Sequence, residues 1–187
     1  MIPFRSESRA VVLAAILALA APPALAQLGT APIRPPEPPK VSLKQVGAHF
    51  SNKTNVAWDP LHGTQVEYTS ADGKAYLWYP TNSVVLAGEW SLDERELRLK
   101  FEGESEIRTI RQPQVCFRYG ANTYNPVTGH RGAGWQCTPF ASWQRGQREA
   151  RSGDPFGLAR RKDAPFVLPK PERLTFSQIA ARLRGGR

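Results

Sequence analysis

Hydrophobic and polar positions alternate through the middle of the chain. Leu97, Leu99 and Phe101 are set against Arg98 and Lys100, and over Ile107–Arg111 the residues Ile107 and Thr109 are set against Arg108 and Arg111. A period of two places one set of side chains on a buried face and the other in water, which predicts strands. Val66–Ser70 and Lys74–Tyr79 are rich in β-branched and aromatic residues, and the Ala71-Asp72-Gly73 stretch between them supplies a turn with a glycine for positive φ, the signature of a hairpin. Pro80–Ser83 predicts a further turn and Val84–Ser91 a third strand. Gln112-Pro113 is expected to close the 107–111 strand, because proline cannot donate to a central ladder. Val115–Tyr119 and Trp135–Thr138 complete about seven short strands at spacings typical of all-β domains. The expected fold is mainly β, a small antiparallel β-barrel or sandwich with short flanking helices.

Two helices are expected at the margins. Ser42 is a candidate N-cap for a short helix with Leu43, Val46 and Phe50 on one face. Near the end, Thr175 and Gln178 form a capping box, Leu174 is placed to staple onto Ile179, and Phe176, Ile179, Ala180 and Leu183 share a stripe. So few turns are not stable alone in water, so this helix is expected to dock on its own domain, a membrane surface or a partner. The Tyr76-Leu77-Trp78-Tyr79 run points aromatics to both faces of its strand, which predicts a packed core.

The first residues read differently. Arg5 and Arg9 precede an apolar run from Val11 to Ala21, and Ala24-Leu25-Ala26 ends the stretch with small residues, the pattern of a cleaved secretory signal. The run is shorter than the roughly 20 residues a membrane span requires. Residues 27–40 are proline-rich and predict an extended polyproline II spacer. The expected organisation is a signal peptide at 1–26, a linker at 27–40, a β-rich domain at 41–142 and a basic tail at 143–187 that ends in the amphipathic helix. The expected location is periplasmic or secreted.

Charge sharpens that division. Val41–Ser142 holds ten basic and ten acidic residues, whereas Trp143–Arg187 holds eleven basic and four acidic ones. A basic arm on a neutral exported domain points to an anionic envelope component or envelope protein rather than to nucleic acid.

Cys116 and Cys137 are the only cysteines, and in an oxidising compartment they are expected to form one structural disulfide, since no Cys-x-x-Cys redox spacing occurs. They bracket a 120–134 loop longer than ordinary connections, in which Asn122, Tyr124, Asn125, His130 and Arg131 offer stacking, hydrogen-bonding and anion-pairing groups. These five are the candidate ligand-binding residues. The three histidines, His49, His62 and His130, show no zinc spacing, and the chain lacks the phosphate-loop, dinucleotide, nucleophile-elbow and zinc-protease signatures. No catalytic residue, metal or cofactor is therefore assigned.

The order His62-Gly63-Thr64, Ala71-Asp72-Gly73, Leu77-Trp78-Tyr79-Pro80, Gly88-Glu89-Trp90, Cys116-Phe117-Arg118-Tyr119 and Trp135-Gln136-Cys137 resembles a family of small exported proteins of proteobacteria. The resemblance covers about half the chain and implies kinship and export without implying catalytic residues.

The leading expectation is a non-enzymatic envelope protein that binds an anionic partner or ligand through the 120–134 loop and the basic tail. An enzyme acting on a wall or lipid component, with Asp59, His62 and His130 converging in one pocket, is the second. A structural assembly protein using its terminal helix is the third.

Overall fold

The alternation is realised as one antiparallel sheet. The computed structural model describes residues 41–100, 103 and 105–185, so the expected signal peptide, the proline-rich linker and Phe101 lie outside the described residues. The strands are β1 (Lys53–Asp59), β2 (Gly63–Thr69), β3 (Lys74–Trp78), β4 (Leu86–Lys100), β5 (Ile107–Tyr119), β6 (Gln136–Pro139) and β7 (Gln147–Ser152), and the helices are α1 (Leu43–Phe50), α2 (Phe140–Gly146) and α3 (Phe176–Gly185). Spatial order is β6-β5-β4-β3-β2-β1-β7, with every neighbouring pair antiparallel.

The sheet does not close. β6 and β7 are its two edges and pair with no further strand, so the expected barrel is replaced by an open sheet, and among the described residues there is no second sheet to make a sandwich. Closure is not needed to bury the apolar faces, because each is covered by non-sheet chain. On one face Val56, Val66 and Trp78 pack under Phe156, Leu158, Leu168, Leu174, Phe176 and Ile179. On the other, Val115, Trp90, Leu92 and Phe117 pack under Val46 and Phe50 of α1 and Phe140 and Trp143 of α2.

Several expected elements appear as read. Ser42 caps α1 with a full capping box, its hydroxyl accepting from Gln45 N while Gln45 Oε1 accepts from Ser42 N. The β2–β3 hairpin forms, with Thr69 opposite Ala75 and Gly73 at φ 84° in the turn. Trp78 is fully buried, its ring 4.8 Å from that of Phe166 and its indole N–H donating to the Phe166 carbonyl at 2.9 Å.

Other boundaries differ. The four segments expected around 84–119 are two long strands, β4 and β5, paired without interruption from Gly88–Tyr119 to Lys100–Ile107. Pro113 does not end β5 but sits inside it opposite Glu94, because β6 ends opposite Gln114 and leaves that edge without a ladder to supply. β1 and β7 carry no strong apolar alternation; β1 is paired along its whole length with β2, and β7 adds to its other edge, with Lys53 opposite Ser152 and Thr54 opposite Arg151.

The segment after Trp143, expected to be a mostly irregular arm, supplies β7 and the covering layer of one face. Its fastening is specific. The Thr64 hydroxyl donates to the Glu172 carbonyl at 2.7 Å and accepts from Leu174 N at 2.9 Å. Gly63, at φ 85°, lies so close to the same segment that a Cβ there would sit 2.5 Å from the Lys170 carbonyl oxygen. The Thr175–Gln178 capping box starts α3, and Ile179 is fully buried beneath it. The helix docks on its own sheet.

Candidate ligand-binding cleft

On the α1/α2 side the two helices cover only part of the sheet. The rest of that face is the floor of a cleft of about 770 Å³, a size suited to a small molecule. Register determines what the floor presents. Side chains of one face recur at every second residue, so Glu67 and Gln65 of β2, Leu77 of β3, Leu86 and Gly88 of β4, and Phe117 and Tyr119 of β5 all point the same way.

The centre of the floor is a carboxyl–phenol pair. Tyr119 on β5 donates its hydroxyl to Glu67 Oε1 on β2, across the two strands between them. That reach depends on small residues beneath it. Tyr119 is opposite Gly88, and Gly88 is opposite Ala75, so a low lane runs from β5 toward β2. A Cβ at Gly88 would lie 2.6 Å from the Tyr119 ring and 2.4 Å from the Arg118 carbonyl oxygen. Stacking of Phe117 on Tyr119, 6.4 Å between centroids and 6° between planes, holds the ring from its other side.

Enclosure by protein shifts both groups. Part of Glu67 faces the cleft, yet loss of hydration around its carboxyl raises its pKa from 4.5 to about 7, against the lowering effect of the Tyr119 hydrogen bond. Burial, then the adjacent Glu67 charge, pushes the Tyr119 phenol well above its ordinary value. Near neutral pH the pair can therefore give or take one proton at the Glu67 carboxyl.

A second polar pair stands at one end. His62 lies in the tight β1–β2 turn, where Asp59 Oδ1 accepts from Leu61 N at 2.9 Å and His62 N at 2.8 Å. The ring Nδ1 of His62 is 2.8 Å from the Tyr79 hydroxyl. Burial holds His62 below its usual pKa, with nearby Lys170 acting in the same direction and Asp59 opposing.

The 120–134 loop forms a wall. It is a folded hairpin-like turn: Asn125 N donates to His130 O at 2.8 Å, Gly132 N to Thr123 O at 2.8 Å, and Tyr124 bridges to Arg131. Cys116 and Cys137 are directly opposite on β5 and β6 and are bonded, which ties together the strands that carry the loop. The nearby cluster of Asp93 with the two cysteines offers no thiolate to a metal, both sulfurs being committed to each other.

Of the five loop residues expected to bind ligand, Tyr124, Asn125 and His130 line the cleft, whereas Asn122 and Arg131 do not. Asn125 is occupied in shaping the wall, its Oδ1 accepting from Val127 N at 3.0 Å and Thr128 N at 3.2 Å. His130 Nε2 is 3.1 Å from the Gly134 carbonyl oxygen, and the Arg131 guanidinium stands 5.3 Å from the Tyr124 ring centroid. Asp59, His62 and His130 are brought to the same cleft, though Asp59 is spent on the turn. Glu67, Tyr79 and Tyr119 were not among the expected site residues. The signal for the Glu67–Tyr119 pair is a polar position on the inward face of β2 diagonal to a glycine–alanine lane, visible only once strand order and register are known.

Two cations complete the rim. Arg145 of α2 donates to Ser142 Oγ at 2.9 Å, and Arg173 stands 5.1 Å from the centre of the Trp58 ring. Neither makes an ion pair with a carboxylate among the described residues.

Compared with family models, with curated proteins and with solved structures, the chain finds no match in any of the three.

Proposed function

We propose that the protein is an exported envelope protein that binds a small anionic ligand in this cleft. One observation carries the reading: the 120–134 loop and the basic C-terminal region, separate in sequence, line the same cleft, with Tyr124 and His130 from the first and Arg145 and Arg173 from the second. The aromatic lining from Tyr79, Phe117, Tyr124 and Trp143 suits a ligand with a flat or apolar body, and the rim cations suit its charge. The leader pattern of residues 1–26 and the Cys116–Cys137 disulfide support an oxidising compartment outside the cytosol.

The test is a titration of the full-length protein with benzoate and with phenyl phosphate, followed by tryptophan fluorescence. Saturable binding that weakens with added salt, and by about tenfold when Arg145→Ala and Arg173→Ala are combined, is the expected outcome for rim charges acting through a screened field. Absence of saturable binding by either anion at low salt overturns the reading.

An enzymatic role is the second reading, favoured by the convergence of Asp59, His62 and His130 on one cleft. With Asp59 engaged in the turn, proton transfer in such an enzyme falls to His62 with Tyr79 and to Glu67 with Tyr119. Assembly through α3 has less to support it, because Phe176 and Ile179 are already in the protein's own core.

A further inference from the structure

A carboxyl group at the floor of a cleft with a cationic rim poses an electrostatic problem. An anion drawn in by Arg145 and Arg173 meets Glu67 at the bottom. If Glu67 were ionised, the two negative charges would repel in a partly dehydrated site, and the attraction of the rim would be offset. If it is neutral, the carboxyl becomes a hydrogen-bond donor to the anion.

We propose that Glu67 is the ligand-contacting residue on the cleft floor, and that the ligand's oxyanion, a carboxylate or a phosphate ester, binds against its protonated carboxyl, so that each ligand is taken up with one proton. This rests on the reading of the cleft as an anion site. Geometry sets the roles of the two oxygens. Tyr119 occupies Oε1 as donor, and Oε2 has no hydrogen-bond partner among the described residues while Glu67 lines the cleft. A proton on Oε2 then has one use, donation to the ligand. Tyr119 is the positioning residue: its ring, laid over Gly88 and stacked on Phe117, fixes which carboxyl oxygen is engaged.

The surrounding charges are consistent with this division. The β1–β2 turn contributes Asp59 and His62, β3 is followed by Tyr79, the 120–134 loop contributes His130, α2 contributes Arg145, and the segment before α3 contributes Arg173. Asp59 is held by two backbone N–H groups. Burial of the Glu67 carboxyl, which lifts its titration to about 7, puts the change in a readable range. His62 also loses charge as pH rises, but its lowered pKa confines that loss to a more acidic range.

The experiment measures benzoate and phenyl phosphate affinity of the full-length protein from about pH 6 to about pH 8.5 by chemical-shift titration, with benzoate as the clean probe because its own charge is constant there. Benzoate affinity is expected to fall about tenfold per pH unit above the Glu67 midpoint, as uptake of one proton requires. Glu67→Gln must remove that dependence, and His62→Gln must leave it in place. Tyr119→Phe, which deprives the ionised carboxyl of its donor, must move the loss to higher pH. In the ligand-free and benzoate-bound protein, the carboxyl-carbon resonance of Glu67 must titrate at a higher pH when benzoate is bound. Comparison of the two probes assigns the preferred oxyanion as carboxylate or phosphate ester. Anion binding that is saturable but flat across this range, or a dependence that survives Glu67→Gln and vanishes in His62→Gln, overturns the Glu67 proposal while leaving the anion cleft standing. Failure of both anions to bind even at low pH removes the cleft reading itself.

Discussion

Glu67 carries a stability consequence independent of any ligand. Its folded-state pKa of about 7 lies above the ordinary 4.5, so between those values the folded protein binds more protons than the unfolded chain. Stability is therefore expected to fall as pH rises through that window and to level off above it. Glu67→Gln removes the charge, and should raise unfolding free energy by about 2 kcal/mol at alkaline pH, allowing for water in the cleft, and by little in acid. Denaturant unfolding of both proteins at the two extremes checks this, and an equal effect at both would show that the carboxyl ionises freely in the fold. At this scale the sequence was legible wherever the cause is local. Ser42 as a cap and Thr175 with Gln178 each act within three residues, and Gly73 answers to its own turn. The partnership of Glu67 and Tyr119 spans 52 positions and depends on what Gly88 and Ala75 leave empty, so no local pattern announces it.

Among the elements, the β2–β3 hairpin was readable from its turn residues, whereas the β1–β2 hairpin and the long pairings were not. The exposed run Asp93-Glu94-Arg95-Glu96 interrupts the alternation in the middle of β4, where neither face is covered, and the half-buried Leu97 and Leu99 resume it farther along the β4–β5 ribbon. Binary patterning reports burial, and where burial ceases it no longer marks a strand. β1 and β7 escaped notice for a related reason: neither carries a strong apolar alternation, and β7 takes its register from β1, far away in sequence. The disulfide is the element-level device that was readable, from an even cysteine count. Replacing Cys116 and Cys137 together by alanine opens a link of sequence separation 21 and is expected to cost about 3 kcal/mol. Amide exchange over residues 120–134 should accelerate with it, because the strands carrying that wall are no longer tied. Unchanged exchange in the loop would mean that its own hydrogen bonds suffice.

For the whole molecule, the division into a neutral domain and a basic tail describes charge but not architecture. The described residues fall in one compact unit, and residues 147–185 supply an edge strand and more than half of the buried residues of one core. Phe156, Leu158 and Leu168 were passed over because they are spaced irregularly among prolines and charges, with no period to mark a buried face. Ile179→Ala should lower stability by about 2–5 kcal/mol, the usual cost of truncating a fully buried aliphatic side chain. It should do so in a single unfolding transition followed by both near- and far-ultraviolet circular dichroism, and a separate early melt of the C-terminal region would show that this layer is not cooperative with the sheet.

The pairing of β1 with β7 also bears on the order of events during synthesis. β1 is translated well before the strand that completes its outer edge and before the residues that roof Val56 and Val66. Until then a nascent chain holds an open ladder and an uncovered apolar face on that side of the sheet, while the residues of the opposite core, up to Trp143, are already present. Closure of that face therefore waits for residues 147–179, so the β1 edge and the Val56–Val66 surface are the parts of the growing chain open to wrong pairing in the interval.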